Sequence, residues 1–176
     1  MSFLRFPSLG TLALLAIGIA LLLATRGPGG GERAGRGGGA GERERAAARV
    51  VSVTDGDTIR VRLAGADESV RYIGIDTPES VIPGERPECF GKAAARFNRQ
   101  LVAGRRVTLV FGAERRDRYD RLLAYVYVDD RFINAALVRA GYARTLEIAP
   151  NTDFADQFAR LQQVAANGGR GLWAAC

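Results

Sequence analysis

Four acidic residues stand where predicted strands meet turns, and they are the first candidates for chemistry in this sequence. Asp55 and Asp57 lie in one turn, and Asp76 and Glu79 follow a later strand. Carboxylates with this placement are typical of an oxygen-ligated metal ion. We expect Asp57 and Asp76 to meet if the first hairpin and the third strand are neighbours. The alternative is that the first pair is only a hairpin turn and the second only a strand exit.

The absence of histidine narrows the possible mechanisms. None occurs among the 176 residues, which excludes Ser-His-Asp triads, Cys-His dyads and zinc sites that need an imidazole. Catalysis would therefore have to use carboxylates, arginine and backbone groups. Lys92 is the single lysine, so nearly every cation can present a planar guanidinium fork to a phosphate. Most of the net charge of +6 lies in residues 1–49, and it says little by itself about a nucleic-acid partner.

The elements that must position these groups are short strands followed by helices. Apolar periodicity predicts strands over 49–54, 58–63, 70–75, 107–111 and 122–128, a weaker extended run over 142–148, and helices over 89–102, 132–140 and 153–166. Strands and helices in this order indicate an α+β fold built on a small antiparallel barrel.

Several motifs, taken in order, closely resemble the thermonuclease, or staphylococcal nuclease-like, family. They are Asp55-Gly-Asp-Thr58, Arg71, Asp76-Thr-Pro-Glu79, Glu88-Cys-Phe-Gly-Lys92, Asp117-Arg-Tyr-Asp-Arg121, the run from Asn134 to Gly141, and Gly171-Leu-Trp173. The resemblance spans nearly all of residues 49–176. It implies a five-stranded OB-type β-barrel with three helices.

The resemblance also implies a reaction and a role for each matched residue. The family hydrolyses DNA and RNA phosphodiesters with Ca²⁺. The matched positions are Asp57, Asp76 and Thr77 as metal ligands, Arg71, Glu79 and Arg121 as catalytic groups, and Arg71, Arg121 and Tyr119 as substrate contacts. Glu79 would orient or deprotonate the attacking water. For Tyr119 a plain packing role in its loop is the alternative.

The implied site is consistent with elementary chemistry. A hard cation and two guanidinium forks can stabilise the charge that develops on a phosphodiester in its transition state. A carboxylate with an ordinary pKa of about 4 is a weak base, which favours an alkaline optimum. Asp120 departs from the family, which commonly has glycine there, and the position calls for a left-handed backbone.

A hydrophobic segment and a glycine-rich segment precede this domain. Phe6–Thr25 has no charged residue and as a helix would span about 30 Å. We therefore expect a hydrophobic N-terminal helix that is a signal peptide or a membrane anchor over residues 1–25. Nine glycines within 27–41 predict a flexible linker over 26–48. The nuclease-like domain would then occupy 49–176.

The two cysteines, Cys89 and Cys176, fall in a chain that these features predict to be exported, where disulfides persist. Pairing of the two is the expectation, and two unrelated thiols are the alternative.

These observations favour a monomeric, extracytoplasmic nuclease that is membrane-anchored or secreted, uses Ca²⁺ and has low sequence specificity. Its substrates would be single-stranded or duplex DNA and RNA, and its N-terminal segment would contact a membrane if it is not cleaved. The alternative is a catalytically inactive OB-barrel module that binds nucleic acid or protein. A third interpretation is a structural domain that calcium stabilises.

Overall fold

The computed structural model describes residues 43–80, 84 and 86–176. Its strands are β1 (Arg45–Val53), β2 (Thr58–Leu63), β3 (Ala66–Tyr72), β4 (Ile75–Asp76), β5 (Arg106–Arg116), β6 (Leu122–Val128), β7 (Arg131–Phe132) and β8 (Arg144–Thr145). Its helices are α1 (Gly91–Val102), α2 (Ile133–Arg139), α3 (Ala155–Asn167) and the single turn α4 (Leu172–Ala175). The predicted N-terminal helix and most of the predicted linker lie outside the described residues. Within the described ranges no helix is both long enough and apolar enough to cross a membrane.

Five strands form a closed barrel. The antiparallel order is β3-β2-β1-β5-β6, and a parallel pairing of β3 with β6 closes it, with Arg71 opposite Leu123. In β2 the inward Ile59 and Val61 are fully buried while the alternate Arg60 is exposed, as the strand period requires. The predicted α+β fold, a five-stranded OB-type barrel with three main helices, is therefore confirmed.

The barrel begins earlier than the sequence indicates. Strand β1 starts at Arg45 rather than at 49, because residues 45–49 pair with β5 and Ala48 is buried between them. The last residues of the predicted linker thus belong to the sheet.

The third predicted strand, 70–75, is interrupted after Tyr72. Gly74 has a φ of +80°, which breaks the extended conformation. A Cβ there would lie 2.5 Å from the Phe158 ring of α3, so the close packing of this helix also requires glycine. The chain resumes as β4 and pairs with β8 instead, with Asp76 opposite Arg144. This bend carries Asp76 away from the barrel wall toward the turn between β1 and β2.

Candidate active site

Asp57 lies at the centre of the site and is almost completely buried, with 1% exposure. Its Oδ2 accepts hydrogen bonds from the Thr77 backbone N–H at 2.7 Å and from Thr77 Oγ1 at 2.9 Å. Its Oδ1 accepts a hydrogen bond from Thr58 Oγ1 at 3.1 Å. Because Thr77 follows β4, these bonds join the two acidic segments that the sequence places 19 residues apart.

Arg71 joins the two predicted carboxylate ligands. Its Nη1 forms an ion pair with Asp57 Oδ1, and its Nη2 lies 2.6 Å from Asp76 Oδ1. The side chain is only 14% exposed. The pairing of β3 with β2 places Arg71 opposite Thr58, the residue next to Asp57. One guanidinium thus holds both carboxylates through separate nitrogens. The structure therefore brings Asp57, Asp76 and Thr77 together, and their role as metal ligands stays a prediction.

Glu79 stands beside this cluster with an altered acidity. Hydrogen bonding to the Asp55 side chain, partial removal from water and the charge of Asp55 raise the pKa of Glu79 to about 7, against the opposing charge of Arg71. This pKa lies above the ordinary carboxyl value of about 4, because a second carboxyl stands next to Glu79. A group with this pKa is largely protonated in acid and becomes a base as pH rises through neutrality.

Two hydrogen bonds with Glu88, in the segment before α1, hold the Glu79 backbone. The Glu79 N–H donates to Glu88 Oε2 at 3.0 Å, and the Glu88 N–H donates to the Glu79 carbonyl at 3.0 Å. Gly91, the first residue of α1, packs so closely that a Cβ on it would overlap the Glu79 carbonyl oxygen and lie 2.9 Å from the Pro78 oxygen. Glu88 and Gly91 are part of the matched family motif, but their positioning role was not predicted.

Gly91→Ala should therefore displace the segment that carries Glu79. Alanine normally favours a helix over glycine by up to about 1 kcal/mol, yet here the overlap should reverse the sign and cost about 1–3 kcal/mol of unfolding free energy. Urea denaturation and turnover on single-stranded DNA would measure both effects. Gly104→Ala is the control for backbone strain without overlap: its Cβ meets open space, so it should lose stability only through its φ of +67° and keep full turnover. A Gly91→Ala protein that is more stable and fully active would contradict this account of the packing.

A buried amide supports the turn that carries Asp55. Asn98 of α1 is fully buried; its Nδ2 donates to the Asp55 carbonyl at 3.1 Å, and its Oδ1 accepts from the Tyr72 hydroxyl at 3.1 Å. The Gly56 N–H in turn donates to Asp55 Oδ1 at 2.7 Å. Sequence reasoning missed Asn98, whose only signal is a polar residue on the inner face of an amphipathic helix.

Arg121 is held by its own loop. Its Nε lies 2.7 Å from Asp117 Oδ2, and its backbone N–H donates to Asp117 Oδ1 at 3.0 Å. Partial burial would raise the pKa of Asp117, but hydrogen bonds from Arg121 and Tyr119 outweigh it and lower that pKa. Asp120 adopts the left-handed conformation that its position calls for, with a φ of +63°. Asp117 is thus the residue that fixes this turn.

Strand register relates Arg121 to Arg71. The parallel pairing of Arg71 with Leu123 places Arg121 one strand period away, on the same face of the barrel as Arg71. Tyr119 is 64% exposed and packs near the guanidinium groups of Arg118 and Arg121, at 4.8 and 5.4 Å from its ring centre. Tyr119 is thus both exposed and in contact with arginines of its own loop, so the substrate-contact and loop-packing roles both stay predictions.

Cys89 and Cys176 form a disulfide. Cys89 directly follows Glu88, so the bridge ties the C-terminus to the segment that holds Glu79.

The donor set fits a hard divalent cation, with one condition. Carboxylate and carbonyl oxygens from Asp57, Asp76 and Thr77 are the ligand type that Ca²⁺ prefers. The Asp57 carboxylate already has four contacts, about the number that its lone pairs allow. A cation would therefore have to take the place of the Arg71 contact. Across the described ranges, no three acidic or sulfur-bearing side chains converge on one point.

Comparison with known proteins identifies a family. Residues 69–175 match the family described as staphylococcal nuclease homologue. The chain belongs to this family. It is 38% identical over 124 residues to a thermonuclease of Staphylococcus intermedius. The aligned region covers 70% of this chain and 74% of that thermonuclease.

Two relatives from Bacillus subtilis are longer than this chain. The SPbeta prophage-derived endonuclease YokF is 40% identical over 121 residues, or 68% of this chain and 41% of its own. Endonuclease YncB is 39% identical over 132 residues, or 71% of this chain and 63% of its own. The chain thus spans less than two thirds of the length of these two relatives.

Proposed function

We propose that the protein is a Ca²⁺-dependent nuclease that hydrolyses phosphodiester bonds of DNA or RNA with low sequence specificity. Its membership of a family whose relatives are named thermonuclease and endonuclease supports nuclease activity. The observation that carries the proposal is Arg71, held between Asp57 and Asp76 with Glu79 beside them.

The proposed roles follow from these contacts. Asp57, Asp76 and the Thr77 carbonyl would hold Ca²⁺, which supplies positive charge against the developing negative charge of the phosphate. Arg71 would then be free to donate hydrogen bonds from its Nη1 and Nη2 to the phosphodiester oxygens. Glu79, with its backbone fixed by Glu88, would accept a proton from the attacking water. Arg121 would donate to the phosphate from the adjacent loop.

The inactive-module alternative is less well supported. A module that only binds has no need of acids and arginines around one point. Here the buried carboxylate of Asp57 is paired with Arg71, and taking both charges out of water costs desolvation free energy. Replacing both with apolar residues would remove that desolvation cost from the fold. The retained set therefore favours catalysis.

We also propose that the protein acts outside the cytoplasm as a monomer, either secreted or anchored by its N-terminal segment. The uncharged run 6–25 and the disulfide support this location, since disulfides persist in oxidising compartments. Cells that express the full chain should be fractionated with and without an inhibitor of signal-peptide cleavage. The protein should appear in the membrane or extracytoplasmic fraction.

Substrate hydrolysis by the purified chain is the direct test of function. Single-stranded DNA, duplex DNA and RNA should be cut with Ca²⁺ and remain intact with chelator. Asp57→Asn and Asp76→Asn keep the side-chain shape but remove a charged ligand, so each should lower kcat roughly 100-fold or more.

Asp130→Asn is the matched control, because Asp130 is exposed in the turn before β7. Full activity of either ligand variant, or of the unmodified protein in excess chelator, would contradict the metal assignment. Binding without any turnover under all conditions would favour the inactive module.

A further inference from the structure

A second concave surface lies away from the cluster around Asp57. It is a cleft of about 640 Å³ between α1, α2 and the start of α3. This volume is within the range of small-ligand sites. No residue of the Asp57, Arg71, Asp76 and Glu79 cluster lines it. We call it the arginine cleft.

The floor of the arginine cleft is apolar and firmly packed. Phe97 and Phe132 contribute rings, and three alanines of α2 and its end leave space between them. Phe97 stacks on Tyr142 with ring centres 4.2 Å apart, and Phe132 stacks on Tyr127 at 4.6 Å. Both rings are therefore held from behind and present a preformed surface.

Three arginines from three segments line the same cleft. Arg131 belongs to β7, Arg139 to the end of α2, and Arg170 to the loop before α4; all are exposed. No ion pair involves them, and no acidic side chain lines the cleft, within the part of the chain that the structure describes. Asp129 and Asp130 line a neighbouring depression together with Arg131, but Asp129 pairs with Arg105 instead. Three like charges around one cleft favour an anionic ligand.

The backbone holds two of these arginines side by side. The Leu172 N–H donates to the Gly141 carbonyl at 2.8 Å, and a Cβ on Gly141 would overlap the Arg170 carbonyl oxygen. Arg170 Nη1 also donates to the Arg139 carbonyl at 3.4 Å. The end of α2 and the segment before α4 are thus locked together, which fixes the spacing of the positive charges.

We infer that the arginine cleft is a second nucleic-acid site, in which the arginines bind backbone phosphates and the phenylalanine floor receives a sugar or base. The inference rests on the proposed function, because that function makes a phosphate polymer the substrate. Guanidinium groups match phosphate geometry, and aromatic rings stack on bases. A strand held here raises the local concentration of the same strand at the catalytic cluster.

The test compares long and short substrates with the triple variant Arg131→Gln, Arg139→Gln, Arg170→Gln. For a long single-stranded oligonucleotide we expect KM to rise about tenfold at low salt, with kcat within about twofold. A dinucleotide has a single phosphodiester bond, so it has no second phosphate for the cleft while that bond lies at the catalytic cluster, and neither constant should change.

Binding gives a second readout that does not depend on turnover. Fluorescence anisotropy of the labelled long oligonucleotide in chelator should show Kd rising about tenfold. The slope of log Kd against log salt should fall by about 2, as expected for three lost phosphate contacts on a single strand. The oligonucleotide is checked on a gel for cleavage.

The control removes the same charge from exposed strand positions outside the cleft. Arg49 and Arg106 lie directly opposite each other on β1 and β5, and Arg60 is exposed on β2. The triple variant Arg49→Gln, Arg60→Gln, Arg106→Gln should change KM and Kd by less than about threefold.

Equal losses in both triple variants would mean that bulk charge alone binds the strand, and would overturn the inference. So would an unchanged Kd in the cleft variant, or a cleft variant that loses affinity only for anionic phospholipid vesicles. A protein that binds the oligonucleotide through the cleft but never cuts it would disprove the proposed function and leave the cleft assignment standing.

Discussion

Arg71→Lys should lower kcat/KM on single-stranded DNA by about 100-fold to 1000-fold while leaving a folded protein. The arginine contacts Asp57 and Asp76 through separate nitrogens, and a lysine ammonium is a single point charge that cannot span both. The same loss of the fork should weaken binding of the phosphate in the transition state. Such a decrease corresponds to about 2.7–4 kcal/mol of activation free energy.

Steady-state kinetics with a thermal unfolding scan would separate the two effects of this change. The retained charge should keep the buried Asp57 compensated, so the melting temperature should fall only slightly. Arg62→Lys is the control, since Arg62 pairs with Asp67 at 2.5 Å on the exposed hairpin. If Arg71→Lys kept full activity, Arg71 would serve only as a counter-ion and its proposed contact with phosphate would be wrong.

A calcium titration adds a readout that does not depend on activity. Arg71→Ala leaves the two carboxylates without their guanidinium, so Ca²⁺ should raise the melting temperature of this variant more than that of the unmodified protein. An equal shift in both proteins would show that the cation and Arg71 do not compete for Asp57 and Asp76.

Loss of the disulfide should have the largest effect on stability. Cys89 and Cys176 are separated by 87 residues, and opening a loop of this length should cost about 4–5 kcal/mol of unfolding free energy in the chain-entropy account. We expect the double variant Cys89→Ser, Cys176→Ser to unfold at clearly lower urea concentration. The change should also loosen Glu88, which holds the Glu79 backbone.

The single variants provide the control. If the two sulfurs are bonded, Cys89→Ser and Cys176→Ser should each destabilise the protein about as much as the double variant, because either one opens the bridge. Additive effects of the two changes, or two thiols that alkylate without reductant, would show that the cysteines are free in solution.

The barrel itself could be predicted from local patterns. Alternation of Ile59 and Val61 with arginines determines which face of β2 is buried, and this pattern needs no knowledge of the remote chain. The break at Gly74 could not be seen in the same way. It depends on the Phe158 ring of α3, which is 84 residues further along, and on a sheet partner, β8, which lies within the weak extended run predicted over 142–148 but whose pairing with β4 no local pattern indicates.

The site residues, too, could be predicted in part from the sequence and in part only from the tertiary structure. Residue types and motif order by themselves determined the chemistry, namely oxygen ligands and guanidinium groups without imidazole, and identified Asp57, Arg71, Asp76 and Glu79 as candidates. Only the tertiary structure decided that Arg71 occupies both carboxylates, that Asp55 raises the pKa of Glu79, and that Glu88 and Gly91 fix its backbone. Acidity and contact depend on distances of a few ångströms between distant segments, and those distances exist only once the barrel has closed.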